Sequence, residues 1–138
     1  MNKIFVFDTN VLINALLSPA SLSNKAYRRA YQEGIVVYSE ATLAELAEKL
    51  RLPRFDKYVP LSRRLVFYYD YEMTAFPTSI TESVAACRDP KDDKFLELAK
   101  SAYADCIITM DADLLVLHPF DNIPILTVPT FMNRFGWR

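Results

Sequence analysis

The stretch that decides the fold is Ile4-Phe5-Val6-Phe7-Asp8-Thr9-Asn10, which is followed directly by Val11-Leu12-Ile13-Asn14-Ala15-Leu16-Leu17. Four consecutive large apolar residues are typical of a short strand in a parallel sheet that helices cover on both faces. The apolar spacing after Asn10 predicts a helix, which Thr9 or Asn10 is suited to cap. Asp8 is therefore predicted at the carboxyl end of a central strand, where open α/β sheets bind ligands. Asp is also a common helix cap, so the stretch alone leaves both roles open.

The composition favours one globular domain. The chain has 138 residues, of which 51% are hydrophobic, and we predict a single domain over residues 1–138. A net charge of −1 argues against a broadly basic nucleic-acid coat but allows a local basic patch. Cys87 and Cys106 lack disulfide or metal-binding spacing, so we expect buried thiols of a reducing compartment. Neither a signal-peptide pattern nor an apolar run of membrane-spanning length is present, so we expect a soluble cytoplasmic protein without a membrane partner.

Short apolar runs alternate with helical patterns along the rest of the chain. Further strands are predicted at residues 35–38, 106–109 and 125–127, with an edge strand within 79–86. Helices are predicted over 21–33, from Ser39 to the break at Pro53, over about 61–75, from Asp93, and from Pro129. This alternation predicts an α/β fold, an α/β/α sandwich around a mainly parallel sheet of four to five short strands.

Four acidic residues are predicted to converge on one edge of this sheet. Asp8 and Asp111 each follow a strand, Glu45 lies in the helix after the second strand, and Asp93 begins a helix. Each acid alone has an ordinary explanation as a cap, a turn residue or a solvated helix position, but their convergence favours a site. Carboxylates this close repel one another unless a cation neutralises them, and a set without His or Cys suits Mg²⁺ or Mn²⁺. Such ions activate water for phosphodiester hydrolysis.

The sequence resembles the PIN-domain nucleases, in motifs that occur in the family's order. The resemblance runs from Ile4 to Phe135 and is strongest for the toxins of bacterial type II toxin–antitoxin systems, similar to virulence-associated protein C-type toxins. The motifs are Phe7-Asp8-Thr9-Asn10-Val11-Leu12, Ala44-Glu45-Leu46, residues 88–99 around Asp92-Asp93, and Thr109-Met110-Asp111-Ala112-Asp113-Leu114-Leu115.

The resemblance implies a PIN-like domain that acts as a Mg²⁺- or Mn²⁺-dependent endoribonuclease. It implies an RNA substrate, a cognate antitoxin as protein partner, and a site built from acidic and polar residues. The metal-binding and catalytic acids fall on Asp8, Glu45, Asp93 and Asp111, with Asp113 as an accessory metal ligand and Thr9, Asn10 and Asp92 as supporting groups.

Asp92 and Asp93 compete for one ligand position. The separation from Asp93 to Asp111 matches the family better, and Asp93 has the better helical phase for Phe95, so we assign Asp93 as the inward ligand. Met110 stands where this branch more often has glycine, which affects the predicted loop shape more than the chemistry.

Other polar and aromatic residues receive weaker assignments. His118, the single histidine, is interpreted as a surface-loop residue rather than a catalytic base. The aromatic residues within 67–71 are interpreted as packing in the core or in a homodimer interface, with base stacking as an alternative. A few basic residues, left unspecified, are assigned to phosphate contacts. The candidates are Lys25, Arg28, Arg29, Arg51, Arg54, Lys57, Arg88, Lys91 and Lys94.

The sequence leaves two functions open. The first is an endoribonuclease toxin held in check by an antitoxin. The second is a PIN-like module that binds RNA or a protein, with weak or no catalysis. The presence of all four acids favours the enzyme, because a degenerate domain is expected to have lost one of them.

Overall fold

A computed structural model describes residues 2–136 of the chain. Within that range the strands are β1 (Lys3–Phe7), β2 (Gly34–Tyr38), β3 (Phe76–Pro77), β4 (Cys106–Ile108) and β5 (Ile125–Leu126). The helices are α1 (Thr9–Leu17), α2 (Leu22–Glu33), α3 (Glu40–Leu50), α4 (Leu61–Thr74), α5 (Asp93–Ala102), α6 (Ala112–Leu115) and α7 (Val128–Phe135). Short 3₁₀ turns at Pro53–Phe55 and Pro90–Asp92 precede α4 and α5.

The strands form one parallel sheet in the order β3-β2-β1-β4-β5. β1 lies at its centre, and Phe5, Val6 and Phe7 are buried, as the run of four apolar residues predicts. Because every strand runs in the same direction, their carboxyl ends meet at one edge of the sheet. The predicted α/β class and parallel sheet are therefore confirmed.

Alternate side chains of β1 enter two separate cores, one on each face of the sheet. Phe5 and Phe7 pack in the larger core with residues of α1, α2, α3, α4 and α7, and the ring of Phe5 lies edge-on to Phe131 at 5.5 Å. Val6 packs in the other core with α5 residues such as Phe95 and Leu98. This follows from the two-residue period of a strand, and it gives the predicted three-layer sandwich.

The predicted edge strand at residues 79–86 is wrong. The edge strand is β3, where Phe76 pairs with Val37, and the chain after Pro77 has no regular secondary structure as far as the turn at 90–92. The segment instead runs along α5, and side chains of α5 accept hydrogen bonds from the backbone N–H groups of the segment. Thr81 N donates to Ser101 Oγ at 3.0 Å and Val84 N to Glu97 Oε2 at 3.0 Å. The β-branched residues of this segment therefore do not form a strand, because its backbone N–H groups bond to α5 instead of to a neighbouring strand.

Two helix starts differ from the sequence prediction by one or two residues. Thr9 and Asn10 do not cap α1, because Asp8 occupies the cap position and Thr9 is already helical. Thr127 caps α7 by accepting a hydrogen bond from Thr130 N, so Pro129 is the second rather than the first helical residue. Both shifts concern only the helix termini and leave the two elements in their predicted places.

A buried arginine, which the sequence analysis did not identify, fixes the connection between α3 and α4. Arg64 is fully buried, and its guanidinium donates to the carbonyl oxygens of Leu50 at 2.7 Å and Leu52 at 3.0 Å. It also donates to Val59 O at 3.1 Å and forms an ion pair with Asp56. The Arg64 guanidinium thereby donates to carbonyl groups at the end of α3 that lack a helical partner, and it holds the short turn at 53–55 in place.

The thiol and aromatic predictions are partly confirmed. Cys106 is buried, whereas Cys87 is partly exposed, and burial raises the pKa of both thiols to about 12. Tyr71 is buried in the larger core, but Tyr69 lies on the surface. Among the helices formed by residues 2–136, none combines the length and apolar character needed to cross a membrane.

Candidate active site

Asp8 is a buried carboxylate at the end of the central strand. Only 5% of its surface is exposed, and its backbone N–H donates to Ile108 O at 2.9 Å, which continues the pairing of β1 with β4. Burial raises the pKa of Asp8, and the charges of Asp111 and Glu45 raise it further against the hydrogen bond from Thr109. A buried carboxylate in such a field favours a nearby cation.

A threonine hydroxyl joins the ends of β1 and β4. Thr109 is fully buried, and its Oγ1 donates to Asp8 Oδ2 at 2.7 Å and accepts from Asp111 N at 2.9 Å. Asp111 then caps α6, since its Oδ1 accepts from Asp113 N at 2.9 Å. Sequence reasoning counted Thr109 only as the end of a strand. Its position two residues before an acid, at the strand terminus, was the available signal.

We expect Thr109→Val to lower the free energy of unfolding by about 2 kcal/mol, because it leaves a buried carboxylate oxygen and the Asp111 N–H without this partner. Valine keeps the side-chain shape, so the loss reports on the hydroxyl. Thr109→Ser retains the hydroxyl and should recover most of the difference in a urea denaturation series. Equal stability of the valine and wild-type proteins would show that the bridge is unimportant.

Glu45 reaches the same edge from α3 and remains ionised. Its Oε2 accepts from Thr9 Oγ1 at 2.6 Å, and its Oε1 pairs with Lys94 Nζ at 2.6 Å. Partial burial opposes the charged form, but the hydrogen bonds from Lys94 and Thr9 outweigh it and hold the pKa of Glu45 below its ordinary value. Thr9 is thus connected to the site by its hydrogen bond to Glu45. Lys94 forms an ion pair with the same carboxylate.

A cluster of three carboxylates lies beside Asp8. One oxygen each from Asp92, Asp111 and Asp113 lies within 4.8 Å of the other two. Burial raises the pKa of Asp92 to about 6, and the negative charges of Asp111 and Asp8 add to this shift. The cluster is therefore a place where a cation would relieve repulsion.

The geometry favours Asp92 over Asp93 as the inward carboxylate, and the assignment of Asp93 stays a prediction that the Asp92→Asn and Asp93→Ala variants can test. Asp93 Oδ1 accepts from the backbone N–H groups of Cys87 at 2.8 Å and Ala86 at 3.1 Å. Slight burial opposes ionisation, but these two hydrogen bonds prevail and hold the pKa of Asp93 below its ordinary value. Asp92 is the last residue of a 3₁₀ turn and Asp93 is the first residue of α5, so the helical phase counted from Phe95 does not extend back to Asp92.

Two clefts flank the acidic residues. The first, of about 630 Å³, is lined by Asp8 and Asp111 together with Asn10 and Arg54. The second, of about 430 Å³, lies beside Glu45 and is lined by the lysines Lys49, Lys91 and Lys94. Positive groups therefore lie on both sides of the carboxylates, and three of the basic candidates, Arg54, Lys91 and Lys94, are among them.

His118 lies apart from the acids, in an exposed loop. Its Nδ1 accepts a hydrogen bond from Ile125 N at 2.8 Å, at the amino end of β5. That end of the strand is opposite the edge that carries Asp8 and Asp111. The surface-loop interpretation agrees with this placement.

Comparison with known proteins identifies a family and a shared fold. A family model described as PIN domain matches residues 5–113. An uncharacterized protein of Methanocaldococcus jannaschii is 34% identical over an alignment of 118 residues, and the alignment covers 81% of this chain and 73% of that protein.

Two solved structures share the fold at low sequence identity. VapBC2 from Rickettsia felis, bound to a DNA fragment from their promoter, aligns with a TM-score of 0.58 at 13% identity, over 90% of this chain and 98% of that chain. PAE2754 from Pyrobaculum aerophilum aligns with a TM-score of 0.62 at 16% identity, over 96% of this chain and 88% of that chain.

Proposed function

Because the chain belongs to the PIN-domain family, we propose that it is a divalent-metal-dependent endoribonuclease that hydrolyses RNA phosphodiester bonds. We propose further that it is the toxin of a toxin–antitoxin pair. The observation that carries the nuclease proposal is the cluster of Asp92, Asp111 and Asp113 next to buried Asp8. Glu45 lies close enough to affect the pKa of Asp8.

The donor set fits a hard divalent cation. It consists of carboxylate oxygens, with neither histidine nor cysteine in the cluster, which suits Mg²⁺ or Mn²⁺ better than zinc. The residues that would hold the ion are Asp8, Asp92, Asp111 and Asp113, with Glu45 at the margin. When bound, such an ion supplies a water of lowered pKa and positive charge for the reacting phosphate.

The surrounding residues have separate roles in this proposal. Thr109 orients the Asp8 carboxylate and the Asp111 backbone through one hydroxyl. Lys94 partly neutralises Glu45, so the site carries less negative charge toward a polyanion. Arg54 on one side, with Lys49 and Lys91 on the other, is placed to hold phosphates on either side of the reacting bond.

We expect millimolar Mg²⁺ or Mn²⁺ to stabilise the metal-free protein by roughly 1–3 kcal/mol, because the ion binds the native cluster preferentially. Thermal melts in EDTA and after addition of each ion measure this shift. Asp92→Asn should reduce the shift, whereas the exposed Asp70→Asn on α4 should keep it. A melting temperature that neither ion changes would count against a shared carboxylate site.

A protein partner is supported by one exposed apolar surface. Val66, Tyr69 and Met73 lie on one face of α4 and are 60%, 53% and 83% exposed. Exposed apolar surface of this kind is typical of protein contact sites. The proposed occupant is the antitoxin or a second copy of the chain. The structurally similar R. felis protein was solved as a VapBC complex. Light scattering gives the mass of the chain alone and of the chain co-expressed with a neighbouring open reading frame. A dimer of the chain alone indicates a second copy, and a hetero-complex indicates an antitoxin.

The experiment that tests the proposed activity compares single-stranded RNA and DNA of matched sequence. Purified protein is incubated with each substrate in EDTA, Mg²⁺ or Mn²⁺. We expect internal cleavage of RNA with an added ion and none in EDTA. Binding of RNA without cleavage under all three conditions would favour the alternative, a PIN-like binding module with weak or no catalysis. Exclusive cleavage of DNA would replace the substrate assignment.

A further inference from the structure

We propose that the cleft formed by Arg54, Phe55 and Met110 accepts the base of the nucleotide next to the reacting phosphate, so that these residues select the RNA sequence that is cut. This inference rests on the proposed RNA cleavage and extends it to the choice of substrate. It assigns a role to the 630 Å³ cleft, which shares Asp8 and Asp111 with the acidic cluster. A cleft of this volume holds a nucleotide-sized ligand.

Met110 is an exposed apolar side chain that is held at the site. It directly precedes Asp111 and is 57% exposed, yet its Sδ accepts a hydrogen bond from Val128 N at 3.4 Å. This contact with the start of α7 positions a side chain that lines the cleft. Methionine packs well against flat aromatic surfaces, so it is suited to contact a base.

Arg54 and Phe55 provide a positive charge and a flat surface in the same cleft. The guanidinium carbon of Arg54 lies 5.0 Å from the centre of the Phe55 ring. Stacking on aromatic and guanidinium planes is a common way to hold single-stranded bases, and the cation also attracts a phosphate. The cleft therefore presents both kinds of group that a nucleotide needs.

The turn that carries these two residues is held by hydrogen bonds from within and from α4. Phe55 O accepts hydrogen bonds from Tyr58 N at 3.0 Å and Val59 N at 3.1 Å. Buried Arg64 in turn binds Leu52 O and Val59 O on both sides of the turn. Because these hydrogen bonds hold the turn in place, we expect a base that packs against it to cost little ordering entropy.

Two exposed asparagines supply hydrogen-bonding groups. Asn10 and Asn14 lie one turn apart on α1, and both line the cleft. Asn14 Nδ2 donates to Ser23 Oγ at 3.3 Å, which orients this amide. Amide groups match the edges of bases, whereas a site for phosphate alone needs only positive charge. The mixture of amide, apolar and cationic groups favours a whole nucleotide as the occupant.

The test uses a short RNA that is cut at one bond and a series in which each flanking nucleotide is replaced by an abasic one. For the wild-type protein, one abasic position should lower kcat/KM about ten-fold. Met110→Ala should lose about ten-fold on the intact RNA and little on the RNA that is abasic at that position. Phe55→Leu should behave in the same way, with a thermal melt as a check on folding. Tyr103→Asn at the end of α5, which removes an exposed ring outside the cleft at a left-handed position that asparagine tolerates, should match the wild type on both RNAs.

Failure of this inference is distinguishable from failure of the proposed activity. If the wild type cuts RNA but every abasic position affects the wild type and Met110→Ala equally, the cleft does not hold a base and the ribonuclease proposal stands. If the wild type cuts no RNA, the activity proposal fails, and fluorescence anisotropy with the intact and abasic RNAs then decides the role of the cleft. Equal affinity of the wild type for the intact and abasic RNAs overturns the base-binding role of the cleft. A ten-fold preference of the wild type for the intact RNA, which Met110→Ala removes, supports it.

Discussion

Asp8→Asn is expected to lower metal-dependent RNA cleavage by about 100- to 1,000-fold while the protein remains folded. The substitution removes one negative charge from beside the three-carboxylate cluster, and metal ions contribute several kcal/mol to such reactions. Asparagine has nearly the same shape, and its carbonyl oxygen still accepts the hydrogen bond from Thr109 Oγ1. The fold should therefore tolerate the change.

The metal-free Asp8→Asn protein should be as stable as the wild type or more so. In the wild type, burial and the charges of Asp111 and Glu45 raise the pKa of Asp8, which means that its ionised form is disfavoured. Asparagine removes this repulsion. A cleavage time course and a thermal melt in EDTA measure both effects, with Asp70→Asn on the surface of α4 as a charge-matched control. Cleavage by Asp8→Asn at the wild-type rate would show that Asp8 is not part of the catalytic site.

Asp92 and Asp93 are expected to give opposite results despite being adjacent. Asp92→Asn should lower cleavage by about 100-fold and weaken metal binding, because it removes a carboxylate of the three-acid cluster. Asp93→Ala should keep most of the metal affinity but lose about 1–2 kcal/mol of stability, because two backbone N–H groups, of Ala86 and Cys87, lose a charged acceptor.

The pH dependence of stability separates the two residues further. The pKa of Asp92 is raised to about 6 in the native state, so the native protein binds a proton more readily than the unfolded chain. The contribution of Asp92 is therefore fully present below the unfolded pKa of about 4 and is lost as the pH rises through 6. Asp92→Asn should remove this trend from the metal-free protein.

The pKa of Asp93 is lowered, so its contribution has the opposite sign and is lost as the pH falls through the native pKa. Calorimetric titration with Mn²⁺ and urea denaturation at several pH values, applied to both variants, measure these differences. Loss of metal binding in Asp93→Ala with retention in Asp92→Asn would return the ligand role to Asp93.

Much of the architecture follows from the order of apolar runs along the chain. The run from Ile4 to Phe7 requires burial on both faces, and a strand with that property lies at the centre of a covered parallel sheet. Once the strands are parallel, acids that follow them must lie at one edge. Asp8 and Asp111 could for this reason be placed near each other from sequence, although they are about 100 residues apart.

The finer details depend on contacts that no local pattern encodes. The 3₁₀ turn before α5 ends at Asp92, so the α-helical phase that begins at Asp93 does not predict the direction of the Asp92 side chain. Thr109 matters through two hydrogen bonds, one of them to a residue from the start of the chain. The role of Arg64 likewise appears only when the ends of α3 and α4 are brought together. Such tertiary hydrogen bonds have no periodic signature in the sequence.

The most direct test of a metal-dependent carboxylate nuclease is the chemical structure of the ends it leaves on RNA. Mass spectrometry of a defined single-stranded RNA after incubation with protein and Mn²⁺ reads these ends. Because activated water rather than the substrate 2′-hydroxyl is the nucleophile, we expect linear phosphate ends, in amounts that fall to background in EDTA and with Asp8→Asn. Cyclic 2′,3′-phosphate ends, or cleavage that persists both in EDTA and with Asp8→Asn, would contradict the account.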